Sequence, residues 1–310
     1  MMLADETQPT QFYVPQPHAV LDLTMPDGAA IRVRRHGNKN APRIVLAHGN
    51  GFASDAYFPF WRLLLPDFEL IVYDQRNHGW NPRHELRAHT QLQMAEDMEA
   101  VLRAVEQAYG KRRTAGAFHS LSTIVSLLHF VKYGMRWDAL VLFDPPLAPP
   151  PGHRWHEAAR NFEHALHYWA LQRRNTFADT AELAFYFKGT RRLRRWVPGA
   201  AELMARAITR PQEKGGYELA CPPPFEADIY MQNANSPAWS ALSVIGKEIL
   251  VISSDYKAAD VDPPGLVSQA LAEDFGIAVV PIPETGHLLQ IERPAEAETV
   301  LRAHLRSRGF

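Results

Sequence analysis

Residues 115–133 read AGAFHSLSTIVSLLHFVKY. Ala115–His119 is a short apolar run suited to a strand, and Leu121–Tyr133 repeats apolar side chains at helical spacing, so Ser120 stands on a strand-to-helix turn. The alternation extends to both sides. Upstream, Arg43–Ala47 (RIVLA) is almost wholly apolar, as suits a strand covered on both faces, and Phe68–Tyr73 (FELIVY) follows it. Downstream come Ala139–Phe143 (ALVLF), Glu248–Ile252 (EILVI) and Ile277–Val280 (IAVV). Helical patterns fall between them at Ala53–Leu65, Leu92–Tyr109, Leu266–Phe275 and Ala295–Arg306. Strands alternating with helices predict a mainly parallel sheet with helices on both faces. Ala19–Thr24 and Ile31–Arg35, turned at Pro26, Asp27 and Gly28, predict an antiparallel hairpin at one end, which makes the sheet mixed.

About a hundred residues between Phe143 and Glu248 break this rhythm. They open with DPPLAPPPG (Asp144–Gly152), carry CPPP at Cys221–Pro224, and are rich in aromatics such as Trp155, Trp169, Phe185 and Trp196. No convincing pair of core strands lies there, so a helical insertion is expected over 147–245, with 1–146 and 246–310 forming the core domain.

Composition narrows the function classes. Lys plus Arg is 33 and Asp plus Glu 34, a net charge of -1, which gives no general attraction to nucleic acid or to an anionic membrane. The lone Cys221 makes neither an internal disulfide nor a zinc cage, and nothing requires an oxidising compartment. Residues 1–20 lack the basic start and apolar run of a signal peptide, and no run of 18 apolar residues occurs. A cytoplasmic protein is expected, with a small-molecule substrate, no nucleic-acid or membrane partner, and homo-oligomerisation left open. No metal or other cofactor is expected. His153, His156, His164 and His167 are spaced like a metal face but lack Cys or paired carboxylates, so solvated helices are the simpler reading. The basic run Arg191–Trp196 (RRLRRW) reads more simply as a solvated face than as a site steering an acidic substrate.

Three windows carry chemistry. Ser120 opens a helix whose first amides would face an oxyanion, or else it is an N-cap. HGNGF (His48–Phe52) would turn backbone N–H groups toward a ligand, or else is an ordinary glycine turn. His287 lies on a loop after the last strand, at the same sheet edge as Ser120.

Taken in order, a strand ending in His-Gly, one ending in His-Ser, an acid after a further strand, and GHLLQIERP (Gly286–Pro294) resemble the α/β-hydrolase family over nearly the whole chain. DQRNHGWN (Asp74–Asn81) is similar to that family's DxRGxGxS turn, with Asn77 and Asn81 where Gly and Ser are usual. The resemblance implies a mostly parallel eight-stranded sheet with a helical cap between strands 6 and 7. It implies Ser120 as nucleophile, His287 as general base, and an oxyanion hole from the N–H of Leu121 with that of Asn50 or Gly51. Phe52 and His119 are expected to touch substrate. Spacing back from the helix at Leu271 makes Asp260 the acid, counting forward from the strand favours Asp255, and Asp144 is a third candidate. The elbow here is Phe118-His119-Ser120-Leu121-Ser122, where G-x-S-x-G is usual, so a bulky Phe118 stands at the corner. The implied activity is carboxylic ester hydrolysis of a small to medium apolar substrate through an acyl-enzyme. The alternatives are a C–C bond, lactone or amide hydrolase with the same triad, or a catalytically impaired binding protein.

Overall fold

A computed structural model describes residues 11–310, and of Arg191, Arg192, Asn235 and Lys247 the backbone alone. The first ten residues of the amino-terminal stretch lie outside the described residues.

In chain order, the strands are β1 (Ala19–Thr24), β2 (Ala30–Gly37), β3 (Arg43–Ala47), β4 (Glu69–Tyr73), β5 (Thr114–His119) and β6 (Ala139–Phe143). After the insertion come β10 (Ile249–Ser253) and β11 (Ala278–Pro281). These eight form one sheet in the order β1-β2-β4-β3-β5-β6-β10-β11. β1 pairs with β2, and β2 with β4, antiparallel, while every other pairing is parallel. Five central strands are buried at every residue, which is why RIVLA, ELIVY, ALVLF and ILVIS are near-continuous apolar runs. β1 at the edge alternates half-buried and exposed residues instead.

The helices are α1 (Phe58–Trp61), α2 (Gln91–Tyr109), α3 (Leu121–Tyr133), α4 (His156–Gln172), α5 (Thr180–Gly189), α6 (Ala200–Ala207), α7 (Pro223–Met231), α8 (Ala238–Ile245), α9 (Pro263–Phe275), α10 (Leu289–Glu292) and α11 (Pro294–Ser307). The sheet divides them between two apolar layers, because successive strand residues point to opposite faces. Ile44, Leu46, Leu70, Val72, Val141 and Phe143 face α1 and α11, through Trp61, Leu301 and Leu305. Val45, Ile71, Tyr73, Leu140 and Leu142 face α2, α3 and α9, through Met98, Ile124 and Leu271.

Two expectations are corrected. The helix expected over Ala53–Leu65 is three short pieces: 3-10 turns at Ser54–Tyr57 and Arg62–Leu64 flank the single turn of α1. Pro59 has no N–H to continue a helical ladder. The insertion is not purely helical either. β7 (Thr176–Phe177), β8 (Thr209–Pro211) and β9 (Tyr217–Leu219) make a small antiparallel sheet in the order β7-β9-β8, in strands too short to show a period of two. Leu183 and Met204 of the insertion join one apolar layer, and Ile229 and Leu242 the other.

The bulk at Phe118 is accommodated within the core. Its ring is fully buried, packs edge-on against Trp137 at 5.1 Å, and fills space left by Gly116. A methyl group added to Gly116 would lie 2.5 Å from Phe118 Cε2. The small residue this corner requires therefore stands two positions earlier in the strand. Gly116→Ala is expected to cost about 1–3 kcal/mol by overpacking. In urea unfolding, the Gly116→Ala/Phe118→Ala double variant should lose less than the sum of the single losses. Additive losses would mean the two positions do not share this space.

Candidate active site

Four loops at the carboxyl edge of the sheet converge, as parallel strands in one register oblige them to do. The turn after β5 carries Ser120 in a positive-φ conformation (φ 50, ψ -116), a strained backbone that costs about 1–3 kcal/mol and persists where its surroundings enforce it. Ser120 occupies the N-cap position of α3, yet its side chain caps nothing. Its Oγ instead lies 2.9 Å from His287 Nε2. His287 Nδ1 lies 2.6 Å from Asp144 Oδ2.

Asp144 is the first residue beyond β6, has φ 44, and is fully buried. Its amide still donates to the Ile252 carbonyl, prolonging the β6–β10 pairing by one residue. Its second oxygen, Oδ1, accepts from Ser254 N (2.8 Å) and Ser254 Oγ (2.9 Å). Both carboxylate oxygens are thus occupied, which a buried carboxylate requires.

The two acids favoured by spacing lie elsewhere. Asp260 is on an exposed loop and pairs with Arg195 at 3.1 Å. Asp255 closes its own loop, with Oδ1 accepting from Lys257 N and Oδ2 from Glu284 N, each at 3.0 Å. Counting residues along the loop after β10 cannot detect that Asp144, one strand over, already fills the position beside His287.

The histidine loop is fixed from behind by the acid of GHLLQIERP. Glu292 Oε2 accepts the Gly286 N–H at 2.6 Å, and Pro294 starts α11 where no N–H is needed. Burial alone would lower the His287 pKa. The hydrogen bond and charge of Asp144, with smaller contributions from Asp262 and Glu292, outweigh it and raise the ring above 6.5.

The segment His48–Phe52 faces Ser120. A methyl group on Gly49 would lie 3.0 Å from Ser120 Cβ, so only glycine permits this approach. Leu121 holds the first helical position, where the amide has no partner within the helix. Of the two expected loop donors, Gly51 is committed: its N–H donates to His78 Nε2 at 3.1 Å. The Asn50 side chain donates to the Glu226 carbonyl of α7 at 2.8 Å. That bond ties the insertion to the loop.

DQRNHGWN supports the same loop. Gln75 donates its N–H to His48 Nε2 (3.0 Å) and its side-chain amide to Ser122 Oγ (3.0 Å), and Ser122 donates to the His48 carbonyl (2.5 Å). Ser122 therefore does hydrogen-bonding work where the family's pattern has glycine. Asn77 has φ 64, a conformation asparagine tolerates better than most residues.

His119 does not line a binding surface. It is buried, with Nδ1 2.7 Å from the Tyr57 hydroxyl and Nε2 2.8 Å from the His287 carbonyl. Phe52 is half-buried and packs with the apolar layer that includes Leu288 and, from the insertion, Trp196 and Val197. Tyr57 and Ser254 escaped the sequence reading because nothing local distinguishes a buried tyrosine or serine that bonds across the fold.

One group among the described residues could hold a metal ion: His78, His89 and Cys221, buried, with ligand atoms within 4.8 Å of one another. The fit is poor as arranged. His78 spends Nδ1 on the Arg76 carbonyl and Nε2 on the Gly51 N–H, and burial pushes the Cys221 thiol well up, away from the thiolate that binds metal. The insertion histidines bond apart: His153 to Asp274, His156 to the Pro149 carbonyl, His167 to the Ala227 carbonyl. No helix among the described residues is long and apolar enough to cross a membrane.

Residues 44–298 match the family model described as the alpha/beta hydrolase family, and the chain belongs to that family. Three solved structures illustrate the likeness. E-2-(acetamidomethylene)succinate hydrolase is 19% identical with a TM-score of 0.72, the match covering 93% of this chain and 100% of that one. The thioesterase domain from the curacin biosynthetic pathway is 15% identical with a TM-score of 0.70, covering 92% and 99%. A thermophilic esterase from Thermogutta terrifontis is 18% identical with a TM-score of 0.66, covering 94% and 100%. No curated protein matches the sequence. Family and fold are those of the alpha/beta hydrolases.

Removing the charge of Asp144 leaves burial as the main influence on His287. In Asp144→Asn the imidazole pKa, followed by NMR, should fall from above 6.5 to below it, while Asp260→Asn should leave it nearly unmoved. The opposite pattern would return the pairing to Asp260.

Proposed function

We propose that the protein is a serine hydrolase that cleaves carboxylic esters through an acyl-enzyme. One observation carries the reading: the line from Asp144 through His287 to Ser120, with bonds of 2.6 and 2.9 Å, ends on a serine in a strained turn at the head of a helix. His287 Nε2 takes the hydroxyl proton as Ser120 Oγ attacks the ester carbonyl. The oxyanion is held by the amides of Leu121 and Asn50, and Gly51 is left out of the hole because His78 holds its N–H. Collapse breaks the C–O bond, and the departing alkoxide receives the proton from His287. Water then repeats the sequence on the acyl-enzyme and releases the acid. Asp144 keeps the Nδ1 proton of His287 in place, so that Nε2 faces Ser120 as the acceptor.

The insertion acts as a cap. Its Glu226 carbonyl holds Asn50, and its Val197 N–H donates to the Ile291 carbonyl (3.2 Å) beside the histidine loop. Phe52, half-buried on the loop that faces Ser120, favours an apolar acyl or alcohol group. A recessed nucleophile, 7% exposed, favours small to medium substrates.

A fluorophosphonate probe should label the protein, and labelling should vanish in Ser120→Ala. With a p-nitrophenyl ester, Asp144→Asn should lower kcat by about 10³–10⁴-fold, with Asp260→Asn and Asp255→Asn near wild type. Only the neutral imidazole accepts the proton. Because its pKa is raised, kcat/KM should climb with pH through a value above 6.5 and fall away below it. Labelling that survives in Ser120→Ala would refute the reading.

A further inference from the structure

A hydrogen-bonded chain links the His48–Phe52 loop to His287 through the buried ring of His119. The His287 carbonyl can only accept, so His119 Nε2, 2.8 Å away, carries a proton. Burial and the neighbouring His287 hold His119 well below an ordinary histidine pKa, so that proton is its only one. His119 Nδ1 must then accept, and the Tyr57 hydroxyl, 2.7 Å away, must donate to it. The same hydroxyl oxygen accepts the Gly49 N–H at 3.2 Å. Every donor and acceptor in the chain has one permitted role.

The packing is equally restrictive. A methyl group on Gly49 would sit 2.9 Å from His119 Nδ1, so the loop rests directly on this ring. The rings of His119 and His287 are 4.8 Å apart between centroids. A second charge beside His287 would oppose formation of the imidazolium, and a neutral ring does not.

We propose that His119 is a positioning residue: with Tyr57, it fixes the main chain of His287 and of Gly49-Asn50 relative to Ser120, so that base, nucleophile and oxyanion donor hold one geometry. The inference rests on the ester-hydrolase reading above and adds to it a role for the residue before the nucleophile. Its action falls on the chemical step. Displacing reacting groups by about 1 Å costs about 10²-fold in rate.

The test uses the full chain and a p-nitrophenyl ester. His119→Leu, verified as folded by circular dichroism, should lose about 10²-fold in kcat with KM within about twofold of wild type. Its affinity for a trifluoromethyl ketone, which forms a tetrahedral adduct, should fall in parallel, while product-acid binding stays unchanged. His119→Gln offers an amide N–H to the His287 carbonyl and an amide oxygen to Tyr57, and should recover most of the loss. Tyr57→Phe removes both hydrogen bonds of the hydroxyl, the one it donates to His119 Nδ1 and the one it accepts from the Gly49 N–H, and should lose about tenfold in kcat. If His119→Leu does not fold, the Gln and Phe variants carry the test. A folded His119→Leu with wild-type kcat, a loss confined to KM, or a Gln variant as impaired as Leu would each overturn the proposal. So would Tyr57→Phe at wild-type kcat where it stands in for a Leu variant that fails to fold. Undiminished turnover by Ser120→Ala would instead overturn the ester-hydrolase reading on which it rests.

Discussion

The candidate site depends on how one buried carboxylate divides its two oxygens. Asp144 gives Oδ1 to the backbone and hydroxyl of Ser254 and Oδ2 to His287, and so joins the ends of β6 and β10 to the loop after β11. A fully buried carboxylate is tolerated only if its lone pairs are met by donors, and here donors and site geometry are the same groups. Asp144 has φ 44, and Ser120, on the neighbouring strand end, has φ 50. Both side chains leave their strands through strained turns, one strand apart, and meet at His287.

Around that line, small residues stand where backbone or rings come close. Gly49 lets the His48–Phe52 loop touch Ser120 and His119, and Gly116 makes room for Phe118. Polar residues then fix what the close approach permits: Ser122 and Gln75 hold His48, His78 holds Gly51, and Glu226 in the insertion holds Asn50. Departures from the family's glycine pattern at Asn77, Phe118 and Ser122 each have a local physical account, and none disrupts the turn that carries Ser120.

The fold was legible because burial writes itself into periodicity. RIVLA and ALVLF, buried on both faces, coincide with β3 and β6, and the alternating AVLDLT with the edge strand β1. Elements of two or three residues, such as β7, β8 and β9, are too short to carry a period, and Pro59 divided a segment that otherwise reads as one helix. Within the site, Ser120 and His287 were legible from their motifs and their shared sheet edge. Which carboxylate lies beside His287 was left open among Asp260, Asp255 and Asp144, because spacing along one loop is a poor proxy for which strand end comes nearest in space. The usable signal was in DPP: an aspartate directly after a fully buried strand, followed by prolines that end the pairing. Tyr57 and His119 were illegible as partners, since their contacts span 62 residues to each other and 168 from His119 to His287.

Ser120, His287 and Asp144 are proposed to act as one catalytic line opposite the amides of Leu121 and Asn50. A crystal structure of the protein after reaction with a fluorophosphonate tests it most directly. Phosphorus is expected on Ser120 Oγ, with the phosphoryl oxygen within hydrogen-bond distance of both amides and Asp144 still on His287 Nδ1. An adduct on another residue, a phosphoryl oxygen turned away from those amides, or Asp260 in place of Asp144 would contradict it.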